Sequence, residues 1–262
     1  MSKNRDFVSR SHERSRLFGV TSDQMKSKRM LNEKELDKVI KDNQELIAVS
    51  EPLVNKLYSY VRDSKFLVIL TDRNGCILSI IGDEEMLQKA HLTYLLPGAY
   101  MGEKYVGTNG MGTSIVEGYP LQVTGNEHVL NILQGWSCSG APIRDPDGNI
   151  TGCLDLTGDI DLVNSHTLGM VAAAAAAIEM MLSLKRYSQR IEADNIYIEG
   201  IINSLPSAIF TTDFEGRIRH FNDYSFEMLG YGKEEFSRLN CVSMIRDWRS
   251  IVQKIKNKGI IL

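Results

Sequence analysis

No two cysteines of this chain stand close together. Cys76, Cys138, Cys153 and Cys241 form no Cys-x-x-Cys pair, which argues against a zinc site or a disulfide framework and suits a reducing cytoplasm. An excess of one charge is lacking too. Thirty basic against 33 acidic side chains leave a net charge of -3, so the chain as a whole is not drawn to nucleic acid or an anionic membrane. No apolar run is both long and free of charge: residues 168–184 hold Glu179 beside six consecutive alanines, the pattern of a packed helix and not of a membrane span. The first residues are polar and carry arginine, where a secretory signal needs an apolar core. The glycine-rich stretch 107–115, GTNGMGTSI, has no Lys-Ser/Thr ending, so it is no P-loop and nucleotide hydrolysis is not expected from it. A basic recognition helix and an acidic ATPase motif are missing as well, which removes DNA binding and ATP hydrolysis from these residues.

What is present suits two ordinary globular domains: 262 residues, 43% hydrophobic and 24% charged. Residues 1–30 carry Arg10, Arg14, Arg16, Lys26, Lys28 and Arg29 and read as a solvated, partly mobile segment. Leu36, Val39, Ile40, Leu46 and Ile47 recur at helical steps, and Ser50-Glu51-Pro52 signals the start of a second helix. Two helices are therefore expected before the first sheet. Strands follow at 66–71 and 76–81, joined by an Asp-Arg-Asn-Gly turn, then a helix at 83–91 and a long glycine-bearing connection over 93–112. Residues 120–124 read as a strand, 127–134 as a short helix, and 136–144 and 150–157 as a hairpin about Asp145-Pro146-Asp147-Gly148-Asn149. The order predicts an antiparallel sheet with helices on one face, an α+β fold.

Those segments carry a resemblance. LTDRNGCILSIIGD, GTNGMGTSIVEG, the pair Glu127-His128, WSCSGAPIRDPDGNITGCLDLTG and the helix beginning HTLGMVAAAAAAIE resemble the GAF domain of sigma-54-dependent transcriptional activators of the acetoin- and glycerol-catabolism type. The leading SHERSRLFGV is similar to the Arg-Ser segment that opens them. The likeness runs over residues 10–185. It departs where an aromatic-Ser-Glu triplet usually precedes GTN: Tyr100 and Gly102 stand there, leaving Glu103 as the acid. Residues 204–236 resemble the opening of a PAS domain, with a hairpin about Asp213-Phe214-Glu215-Gly216 and an Asn-led helix. The remaining PAS strands are not seen, so the part after about residue 240 is expected to be poorly packed or to borrow a partner.

Between the two resemblances runs a seam of alternating steps of four and three: Ala177, Met181, Leu184, Ser188, Ile191, Asn195, Ile198, Ile202 and Leu205. Asn195 falls in the a register, where one Asn selects a two-stranded state, so a parallel homodimer is expected; packing of the seam on its own domains is the alternative. The expected organisation is 1–30 polar segment, 31–176 GAF domain with leading helices, 177–205 heptad helix and 206–262 partial PAS domain.

For a ligand the candidates are Tyr100, Glu103, Asn109, Thr113, His128, Trp136 and Cys138. Asn109 and Thr113 would bond a hydroxyl or carbonyl, Tyr100 and Trp136 would form an apolar wall, and Glu103 or His128 would set polarity. Each has a structural reading: His128 as a cap or the partner of a buried carbonyl, Trp136 as core, Cys138 as a small buried hydrophobe. Asp72, Asp83 and Asp155 are expected to hold turns. No catalytic residue, metal or cofactor is assigned. The resemblance implies a cytoplasmic, dimeric metabolite sensor acting on DNA and sigma-54 RNA polymerase through an AAA+ ATPase and a DNA-binding domain outside these residues, as a piece of a longer protein or a truncated product. Acetoin, a short diol, glycerol, dihydroxyacetone and an amino-acid-derived signal are all compatible. Related modules serve histidine kinases, cyclic-nucleotide enzymes and sulfoxide reductases, the last needing closely placed cysteines.

Overall fold

The computed structural model describes residues 6–162 and 165–257; the outermost parts of the expected terminal segments, 1–5 and 258–262, lie outside them. The chain folds as two compact units, the first ending at Arg186 and the second beginning at Tyr187.

The first unit departs from expectation at once. Asp6–Leu17 is a helix, α1, and not a loose tail. Its Phe7, Ser11 and Ser15 are buried at four-residue steps, with Phe7 against Leu121 and Val123. Two more helices follow, α2 (Glu33–Asp42) and α3 (Gln44–Val61), so three precede the sheet. Asn32 and Glu35 form a capping box that starts α2. The chain breaks at Asn43, whose side chain donates to Val39 O at 2.8 Å, and not at Pro52, which α3 carries in its interior. Proline there costs a hydrogen bond, but Leu46, Val49, Val54, Leu57 and Val61 bury a stripe on both sides of it, and that burial holds the helix through.

The sheet is built from β1 (Phe66–Asp72), β2 (Ile77–Gly82), β3 (Leu121–Thr124), β4 (Trp136–Arg144) and β5 (Ile150–Asp159), all antiparallel, in the order β2-β1-β5-β4-β3. Side chains alternate between two cores. Val68, Leu70, Ala141, Ile143, Leu154 and Leu156 meet α3 and the start of a long helix on one face; Leu67, Ile69, Trp136, Cys138 and Cys153 face the other. Helices thus cover both faces, not one, because β1, β2, β4 and β5 send apolar side chains to both cores. The second face carries α4 (Glu84–Leu92), α5 (Glu103–Val106) and α6 (Gly110–Glu117). The expected connection 93–112 is therefore partly helical, and most of GTNGMGTSI is the buried helix α6. The helix expected at 127–134 is two 3-10 turns, Gly125–Glu127 and Asn131–Leu133, with His128 and Leu130 extended beside them.

The long helix α7 runs Ser165–Ser204. By length and composition it could cross a membrane, but Val171, Ala175, Ile178 and Leu182 are buried against the sheet and Glu179 accepts from Arg144 N at 2.7 Å. The heptad seam lies elsewhere on the helix. Met181, Leu184, Ile191, Ile198 and Leu205 are exposed, from 41% to 61%, so they do not pack on their own unit.

The second unit contains the hairpin β6 (Phe210–Thr212) and β7 (Ile218–Phe221), then α8 (Asp223–Leu229), α9 (Lys233–Ser237), α10 (Cys241–Met244) and α11 (Trp248–Asn257). Asn222, fully buried, donates to Ile202 O and Ser207 O and accepts from Ile209 N, at 2.9 to 3.0 Å. The chain beyond residue 240 is not wholly loose: Cys241 is buried, and Ile245 and Trp248 pack with Phe236 and Ile218, although α11 buries no residue. Phe210 and Phe221 of the hairpin meet the ring of Phe236 in α9 edge-on, at centroid distances of 6.0 and 5.1 Å.

Candidate ligand site

The polar residues expected to meet a ligand meet α1 instead. Ser11 Oγ donates to Glu103 Oε1 at 2.6 Å and lies 2.7 Å from Thr108 Oγ1 and 3.2 Å from Thr113 Oγ1. Arg14 binds both oxygens of Glu103, at 2.5 and 2.8 Å, and reaches Glu117 at 2.9 Å; Arg10 also pairs with Glu117. Glu103 is 2% exposed, and a carboxylate so buried requires such partners. These contacts raise the Arg14 guanidinium, first through its hydrogen bond to Glu103. Asn109 caps α6, accepting from Gly112 N at 2.9 Å, while its amide donates to Met101 O and Gly107 O. A cap of this kind contributes about 1 kcal/mol. Asn109, Thr113 and Glu103 are thus engaged by the protein.

The other candidates are scattered through the core. Tyr100 lies edge-on to Tyr105 at 5.2 Å, under the Arg29 guanidinium at 4.4 Å. Trp136, wholly buried, donates from Nε1 to Thr93 Oγ1 at 3.2 Å and carries Lys89 Nζ over its ring. Cys138 Sγ lies 3.2 Å from Thr157 Oγ1, and burial, then the nearby Asp155, pushes its thiol up. Asp72 does hold its turn, accepting from Asn74 N and Cys76 N, and Asp83 holds Asp63 N and Tyr58 Oη.

Asp155 does not hold a turn. It stands wholly buried at the centre of β5, with Oδ1 accepting from the Thr157 hydroxyl and Oδ2 without a partner. Burial raises it to about 7 against the opposing pull of Thr157. A methyl on Gly110 would come within 2.6 Å of Oδ2 and 2.7 Å of Cys138 Cβ, and one on Gly140 within 2.2 Å of Gly110 O. Glycine at both positions is what lets α6 lie directly on the sheet. The glycines of GTNGMGTSI thus let backbone approach backbone within the chain itself.

Two cavities open on the first unit. The smaller, 180 Å³, includes Glu103, Lys104, Arg73 and Gly112 in its wall. The larger, about 430 Å³, lies between Ser9, His12, Ser15 and Arg16 of α1 and the 3-10 segment bearing Asn126, His128, Val129 and Gln134. Its volume falls in the range of small-molecule sites, roughly 300–1,000 Å³. His128 is the one candidate in its wall. The imidazole is 1% exposed; Nδ1 faces Gly125 O at 3.1 Å and Nε2 has no partner. A carbonyl only accepts, so Nδ1 carries the hydrogen and Nε2 a lone pair. Burial lowers the ring to about 4, the Gly125 bond opposing, which keeps it neutral near pH 7. His12, Ser15 and Arg16 were missed among the candidates because their segment read as a tail; the helical spacing of Phe7, Ser11 and Ser15 was the signal that could have placed them.

Comparison with known proteins agrees with this architecture. A family profile described as "MimR, N-terminal domain" matches residues 6–180, and a PAS domain profile matches 196–256. A "Signal-transduction and transcriptional-control protein" of Clostridium beijerinckii is 34% identical over 252 residues, covering 96% of this chain and 40% of that one. The acetoin dehydrogenase operon transcriptional activator of Bacillus subtilis is 28% identical over 187 residues, covering 71% of this chain and 31% of its own length. The chain thus spans less than half of these relatives. Among solved structures, one from the crystal structure of the E. coli DhaR(N)-DhaL complex superposes with a TM-score of 0.86 at 15% identity, over 98% of this chain and 86% of that one. The α+β fold, a GAF-like sheet followed by a long helix and a PAS segment, is therefore shared.

Proposed function

The chain belongs to the MimR N-terminal domain family, and from that premise we propose that it is the signal-sensing region of a bacterial sigma-54-dependent transcriptional activator. It binds a small polar metabolite in the GAF-like unit and passes the change along α7, as a parallel homodimer, to an AAA+ ATPase and a DNA-binding domain that these residues do not encode. The observation that carries this reading is the larger cavity, walled by α1 on one side and by the 3-10 segment bearing the buried His128 on the other. A ligand there would change the seating of α1, and it biases output only through unequal affinity for two arrangements. The exposed seam with Asn195 in its a register supports the dimer.

Relatives named as transcriptional regulators favour an activator over a histidine kinase or a cyclic-nucleotide enzyme. All four thiols are buried and raised by burial first, which disfavours reductase chemistry. The region works in the cytoplasm and is not itself an enzyme. The test is a thermal-shift screen of the chain against alcohols, ketones, hydroxy acids and amino acids. A binder at about a hundred times its Kd adds roughly 2.7 kcal/mol; no shift from any class would leave the unit as a scaffold and defeat the reading.

A further inference from the structure

Resting on the dimeric reading, we propose that α7 pairs in register with the α7 of a second copy, and that Asp194 of each copy is set against the partner's Glu199. This like-charge step weakens the middle of the coiled coil by design of the register. The face itself comes first. Ile191, Ile198 and Leu205 return once per heptad and are 61%, 51% and 41% exposed. The apolar core of the second unit is built from Ile218, Phe236, Cys241 and the side chains around them, and includes no residue of α7. A seam with a period of 3.5 residues stays on one side only against a helix that supercoils with it. A second copy brings the same period over the same length, which a globular partner would not need.

Charge then fixes how the copies meet. With Asn195 at a, Asp194 takes the g position and Glu199 the following e. In a parallel pair, g of one helix lies beside the next e of the other, where charges choose partner and orientation. The neighbouring steps set Met180 against Lys185 and Tyr187 against Glu192, so neither brings two charges together. Asp194 against Glu199 does, with one sign, and two-fold symmetry repeats it. Both side chains are exposed and enter no ion pair among the described residues, so nothing there offsets the repulsion. Ser188 and Asn195 occupy consecutive a positions beside this step, leaving Ile191 and Ile198 to hold the helices together. Two arrangements of α7 thereby stay close enough in energy for unequal ligand affinity to choose between them.

The experiment measures dimer affinity of the full chain by sedimentation equilibrium at about 50 mM salt, where exposed charges are weakly screened. The helical neighbours of Glu199, namely Asn195, Ile196, Ile202 and Asn203, carry no charge, so Glu199→Lys acts on the pair across the interface. It should tighten the dimer about tenfold, because both symmetry-related pairs become attractive. Asp194→Lys should also tighten it. The two substitutions together restore like charges and should return the Kd to within about threefold of native. A dimer whose Kd is unmoved by Glu199→Lys, or a double variant tighter than either single one, overturns the pairing while the dimeric reading stands. If the native chain stays monomeric, both fail.

Discussion

Replacing Asp155 by Asn tests whether the centre of the sheet holds a proton. Asp155 is wholly buried, its Oδ2 has no partner, and burial raises it to about 7, while an unfolded chain ionises near the ordinary 3.8. Between those values the native state binds a proton that the unfolded state has released. Stability on this account is fully present below pH 4 and is lost as pH rises through 7. The shift of about 3 units corresponds to about 4 kcal/mol across the window, at 1.36 kcal/mol per unit. His128 acts in the opposite sense. Its folded value of about 4 lies below the ordinary 6.5, so its contribution is present above pH 6.5 and is lost as pH falls through 4. In the native chain the two slopes largely cancel between pH 4 and 6.5.

Asp155→Asn removes one slope and leaves the other. The Asn carbonyl keeps the Thr157 bond, and the side chain stays neutral at every pH. Urea unfolding at half-unit steps from pH 5 to 8 should show the native-minus-variant difference falling by about 1.4 kcal/mol per unit up to pH 7, near 3 kcal/mol in all, and then levelling. Taking the difference removes every group the two proteins share. A pH-independent difference would mean that Asp155 is ionised throughout, and the account of the buried proton would be refuted.

Other outcomes follow from the same contacts. Glu103→Gln strips the charge that Arg14 binds and should cost about 3 kcal/mol, with faster tryptic cleavage at Arg10, Arg14 and Arg16 as α1 leaves its cradle; unaltered cleavage would mean that α1 is held otherwise. Gly110→Ala forces a methyl against Asp155 and Cys138 and should lower stability by about 1–3 kcal/mol, read from the urea midpoint. Asn195→Leu should tighten the dimer in sedimentation equilibrium and blunt the ligand response, since an apolar a position removes the cost of burying an amide; an unchanged response in the complete regulator would remove α7 as the switch.

Local pattern was enough for much of this protein. Alternating apolar positions and strong turn residues located all five strands of the sheet, since strand period and turn chemistry act over a few residues. The four-three spacing pointed to a long helix, found as α7, and separated motifs in order pointed to the family. What depended on distant partners was not legible. Ser11 and Arg14 look like surface residues until Glu103, Thr108 and Thr113, about ninety to a hundred positions away, become the partners that hold α1. Ser50-Glu51-Pro52 starts a helix by local rules and lies inside one here, because apolar burial on both sides outweighs one lost hydrogen bond. Asp155 resembled a turn aspartate and is the buried acid. The sequence by itself determined the strands of the sheet, the class and the family; only the tertiary structure decided that residues 6–17 and 110–117 are helical, which polar residues satisfy each other and which, like His128 Nε2, have no partner among the described residues. Hydrogen-bond completion is a property of the packed chain and not of its local segments.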